Sequence, residues 1–151
     1  MFLWDPQTAI VLENNISTGP QHLREIRTAT STLNDTALWD IPDAIAAVNS
    51  FVLRGNHDHH AWSGNASRWK SIRNELLARG DTVTFEDVRA IATFHTGTAF
   101  PGSQEDGNVY HSGTQQILLF RPADMHVEVF FRPKTGGLPR EPRFNQIDIL
   151  F

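Results

Sequence analysis

Two hydrophobic periodicities sort this chain into strands, then helices, then strands again. Phe2 to Trp4 and Ala9 to Leu12 are apolar runs separated by Asp5-Pro6-Gln7-Thr8, a pattern that predicts a β-hairpin with proline in its turn. Gln21 to Ala29 reads as weakly helical. Asp40 in a capping position, Pro42 in a first turn, and Ile41, Ala44, Ile45 and Val48 at helical spacing predict a short helix. That helix would lead into an apolar strand from Phe51 to Arg54.

Ser67 to Arg79 predicts a longer helix, with Trp69, Ile72 and Leu76 on one face and Gly80 as its stop. Thr84 with Asp87 three residues on forms a capping box for the next helix, whose stripe is Phe85, Val88, Ile91 and Ala92. His95 to Gly113 reads as irregular loop. Gln116 to Phe120 and His126 to Phe131 make a second hairpin, in which Val127, Val129 and Phe131 alternate with His126, Glu128 and Phe130. Phe144 to Phe151 reads as a closing strand, with Asp148 on its polar face. This order favours an α+β fold with an antiparallel sheet, one face of it covered by helices.

The length of 151 residues suits a single domain, 1–151, with one hydrophobic core. A formal net charge of -4 argues against a nucleic-acid surface, which needs a basic face. With no cysteine, the chain itself supplies no disulfide, thiolate metal ligand or thiol nucleophile. No stretch is long enough to span a membrane and no signal-peptide pattern opens the chain, so the expected location is cytoplasmic and no membrane partner is expected. The triplets beginning at Asn15, Asn34 and Asn65 match the glycosylation pattern and read as chance in that setting.

The candidate chemistry lies where the apolar run from Phe51 ends in Gly55-Asn56-His57-Asp58-His59-His60. Catalytic groups often sit where a rigid element hands over to a loop. The Gly-Asn-His-Asp run resembles a motif of calcineurin-like metallophosphoesterases. That resemblance implies Asn56 as a metal ligand and His57 as a phosphate-stabilising group, and His59, two residues on, could face the same way as His57. The early Asp-x-His, the Gly-Asp-x-x-Asp and the late Gly-His-x-His of that family have no counterpart here.

A second resemblance spans more of the chain. Gly55-Asn56-His57, Arg68-Trp69 with Asn74-Glu75-Leu76-Leu77, Thr82 to Ile91, Thr114 to Pro122, and Phe144 to Ile149 follow one another in the order of similar segments in another family. The chain thereby resembles the C-terminal portion of the acyl-coenzyme A:6-aminopenicillanic-acid acyltransferase-like N-terminal-nucleophile (Ntn) hydrolases. The resemblance implies a partial layered αββα sandwich and hydrolysis or transfer of an acyl group from an amide or thioester. It implies Asn56 as the oxyanion-hole amide, with His57 beside it, and Arg68 as support for the nucleophile or for its self-cleavage. It implies no cofactor and no metal. The family nucleophile is a cysteine, which is absent, and the family serine before the arginine falls on Asn65 or Ser63. The expectation is therefore one part of an enzyme, inactive alone, working with an N-terminal chain of the same precursor or as a homo-oligomer, and exposing an apolar sheet edge or face.

Plainer roles suit the same residues. Asn56 could cap a turn after Gly55, the histidines could form a solvated polar loop, Arg68 could be a solvated helix charge, and the chain could be a non-catalytic packing module. His95 and His111 flank the predicted loop without a motif of their own.

Overall fold

A computed structural model of the chain describes residues 2–4, 8–14, 24–55, 63–97 and 99–147. Within them the fold is α+β, with two antiparallel three-stranded sheets and two α-helices. The first sheet contains β1 (Phe2–Trp4), β2 (Ala9–Asn14) and β3 (Arg24–Arg27), in that order. The predicted hairpin is present, with Phe2 opposite Val11. β3 corrects the helical reading of Gln21 to Ala29. Val11 and Glu13 alternate into the interior from β2, and the antiparallel register sets Arg27 opposite Val11, diagonal to Glu13. A buried guanidinium needs that carboxylate, and an extended strand delivers it.

Residues 28–55 contain no helix, which corrects the helix expected after Asp40. The carbonyls that a helix would bond internally are taken by side chains instead. The Trp39 indole N–H donates to Ile41 O and Ala44 O, each at 3.0 Å, and Arg27 Nη2 donates to Ala46 O at 2.6 Å. Asp40 does not cap; it accepts two bonds from Arg73, at 2.8 and 2.5 Å. The stretch still builds core, since Ala37, Ala46 and Val52 cluster with Trp69, and Trp39 stacks tilted on Trp69 at 4.9 Å.

α1 (Ser63–Arg79) begins a turn earlier than the sequence suggests and stops at Gly80, whose φ of +71° is the left-handed stop that glycine adopts without strain. α2 (Phe85–Ala92) carries the predicted capping box at Thr84 and Asp87. Its stripe is only partly sealed: Ile91 is buried and Val88 is exposed.

β4 (Gln116–Arg121), a 3-10 turn at Pro122–Asp124, β5 (His126–Phe131) and β6 (Asn145–Ile147) form the second sheet. Leu119 opposite Glu128 and Ile117 opposite Phe130 lie on the face that α2 covers, clamped by Arg89 Nη2 to Glu128 at 2.6 and 2.7 Å. Phe130 packs there with Tyr110 and Leu138, and the Tyr110 hydroxyl donates to Pro139 O. Phe130 is thus buried, while its neighbour Phe131 on the opposite face is 63% exposed. The other face carries Leu118, Phe131 and Ile147, which are exposed, beside Val127 and Val129, which are buried. Asp148 lies outside the described residues. No helix among the described residues is long and apolar enough to cross a membrane.

Candidate functional site

Asn56, His57 and His59, with Asp58 and His60, lie outside the described residues. The chain on both sides of them is described. On the approach, Val52 and Leu53 are buried, and the Glu13 carboxylate receives both of their peptide N–H groups at 3.1 Å. Asn34 N donates to Val52 O at 2.8 Å, and Arg54 N donates to Thr32 O at 3.1 Å. The expected strand from Phe51 to Arg54 is therefore an extended buried segment with a single bridge, Leu33 to Leu53. A side-chain carboxylate does the work of a missing neighbour strand, because two adjacent N–H groups cannot both point to one partner in a regular ladder. Gly55, at φ +86°, then turns the chain.

On the far side α1 supplies Asn65 and Arg68, which share a face at i, i+3 spacing. Asn65 is 1% exposed. Its amide donates to Asn49 O at 2.8 Å and Ser50 Oγ at 2.7 Å, and its carbonyl accepts from Arg68 Nη2 at 2.6 Å. One asparagine thus ties Arg68 to the segment that leads to Gly55. Arg68 Nε donates to Gly64 O at 3.2 Å. No carboxylate lies within ion-pair distance of this guanidinium among the described residues. Burial lowers the Arg68 pKa, with the charge of Glu105 acting the other way.

The loop before β4 closes over α1. A Cβ on Gly64 would stand 2.9 Å from Gln104 Cγ, and one on Gly107 would stand 2.7 Å from Ser71 Oγ, so only glycines permit this approach. The loop brings Glu105 and His111 into the field of Arg68. His111 is lowered from its ordinary value by burial and by Arg68, against the pull of Glu105. Its Nδ1 accepts from Gly113 N at 3.1 Å, which places the proton of the neutral ring on Nε2. Glu105 is lowered chiefly by the Ser103 hydroxyl. A cleft of about 330 Å³ lined by Ser67, Lys70, Ser71, Glu105 and Gly107 runs alongside.

Chemically, the Arg68 guanidinium is a donor suited to receiving negative charge. Among the described residues no group of His, Asp or Glu could hold a metal ion. Arg68 was legible from the sequence as a candidate. Glu13 and Glu105 gave no signal, because each works only through contacts distant in sequence. Asn65 stood out only as a glycosylation triplet and as the family-serine position, and its burial explains why it acts as a strut instead. The chain matches no family model, no curated protein and no solved structure.

Proposed function

We propose that this chain is the anion-stabilising part of an Ntn-type amide hydrolase or acyltransferase, layered as part of an αββα sandwich, with the attacking thiol supplied by another polypeptide. One observation carries the reading: the Arg68 guanidinium is half-buried, steered by Asn65, and without a carboxylate partner among the described residues. A cation drawn partly out of water with no carboxylate at ion-pair distance is costly, and a ligand that develops negative charge lowers that cost.

Acyl transfer generates such a ligand. The partner's thiol adds to the carbonyl carbon of an amide or thioester, its proton passing to the partner's α-amino group, and the carbonyl oxygen takes the negative charge. The Asn56 amide donates to that oxygen and Arg68 supports the charge. Collapse expels the amine, which takes the proton, or the thiol, and water or an acceptor amine then releases the acyl group. Each donor aimed at the oxyanion contributes about 2.7–4 kcal/mol in such sites. Without a cysteine the chain alone turns over no amide.

The test is calorimetric titration with an alkylphosphonate monoester, which copies the charge and shape of the tetrahedral intermediate. Affinity is expected to fall roughly tenfold or more in Asn56→Ala and in Arg68→Ala. Equal binding by both variants and the unaltered chain would overturn the reading.

A further inference from the structure

Residues 41–45, the end of α1 and α2 leave a groove of about 450 Å³ between them. Ile41, Ala44, Ile45, Leu76, Val83 and Val88 give it apolar walls. Val83 and Val88 are among the large apolar side chains that the fold leaves exposed, so the unsealed end of the α2 stripe opens here. Apart from Ala9 and Gly80, the other lining residues are two acids, Asp43 and Asp81. Neither carboxylate meets a cation or a hydrogen-bond donor among the described residues. The two arginines in the second half of α1 are spent elsewhere: Arg73 binds Asp40, and Arg79 binds Glu75 and Asp87. α1 also ends at this groove, and the unmatched carbonyls of a helix C-terminus add negative potential to it.

We propose that this groove binds a small organic cation with an apolar body, of the chemical class of a medium-chain primary amine. Charge selects the head group. Every charged side chain on the lining is acidic, so an ammonium is drawn to Asp43 and Asp81, while a carboxylate or phosphate is repelled. The walls select the body, because covering Leu76, Val83 and Val88 removes apolar surface from water. A neutral alkyl chain gains only the second of these terms. The volume equals that of roughly fifteen waters and falls in the range of about 300–1,000 Å³ usual for small-molecule sites. The inference stands apart from the acyl-transfer reading, because neither Asn56 nor Arg68 lines this groove.

Three probes of one chain length test it: octylammonium, 1-octanol and octanoate, each titrated while the methyl signals of Leu76, Val83 and Val88 are followed by NMR. Octylammonium is expected to bind saturably and shift all three residues, octanol to bind at least roughly twofold more weakly, and octanoate more weakly still. Asp43→Asn and Asp81→Asn are each expected to lower octylammonium affinity roughly two- to fivefold and to leave octanol affinity unchanged. Glu141→Gln removes the same charge from an exposed position outside the groove and is expected to change neither. Arg68→Ala is expected to leave octylammonium binding intact, whatever becomes of phosphonate binding. Octylammonium binding no tighter than octanol, unchanged affinity in both aspartate variants, an equal loss in Glu141→Gln, or loss in Arg68→Ala would each overturn the proposal.

Discussion

Glu13 and Arg27 meet at 2.9 Å with only 3% of either side chain exposed. The same carboxylate holds the peptide N–H groups of Val52 and Leu53, so one buried acid joins the first sheet to the segment that ends at Gly55. Glu13→Ala would strand a buried guanidinium and two buried peptide donors together. Urea denaturation should register a loss of roughly 3–5 kcal/mol, the usual cost of breaking one side of a buried pair. A loss below about 1 kcal/mol would show that the clamp is dispensable.

Asp87 gives the fold an acid-sensitive point. The Thr84 hydroxyl and then the Thr84 peptide N–H hold its carboxyl below the usual range, with Arg79 adding to the effect. A carboxyl depressed in the folded state stabilises that state above its unfolded pKa of about 3.9, and the contribution disappears as pH falls through the lower, folded value. Asp87→Asn should therefore narrow the stability difference between neutral and strongly acid solution, as measured by thermal melts across pH. An unchanged acid profile would remove the capping box as a source of it.

Phe130 and Phe131 are neighbours with opposite fates. Phe130→Ala empties a site packed against Tyr110 and Leu138 and should cost about 3–5 kcal/mol. Phe131→Ser, at an exposed position, should stay within about 0.5 kcal/mol of the unaltered chain. Chemical denaturation of both variants decides it, and similar losses would mean that the two rings are buried alike.

Asn65→Ala removes the strut between Asn49, Ser50 and Arg68. Losing these part-buried bonds of a fully buried side chain should cost roughly 1–3 kcal/mol in a thermal melt, and phosphonate binding should weaken although Asn65 itself touches no ligand in the proposed mechanism. Intact phosphonate affinity in a destabilised Asn65→Ala chain would separate the strut from the site.

Local signals carried much of this fold. The Thr84–Asp87 capping box, the Gly80 stop and the turn at Pro122 act within a few residues, and each stands where the sequence places it. The errors fall where a distant side chain overrides a local pattern. Arg24 to Arg27 is a strand because Glu13, eleven residues before Arg24, requires Arg27 there. Ile41 to Val48 has helical spacing, yet the Trp39 indole and the Arg27 guanidinium capture its carbonyls. For the same reason Arg68 could be chosen from the sequence, whereas Glu13, Glu105 and the strut role of Asn65 could not.

Anion binding at Arg68 can be read by following the arginine side-chain N–H signals by NMR while the alkylphosphonate is added. The Arg68 signal is expected to shift and saturate, the Arg27 signal to stay fixed, and the Arg68 response to weaken in Asn65→Ala. An Arg68 signal that stays fixed while the phosphonate binds, or that never saturates, would contradict it.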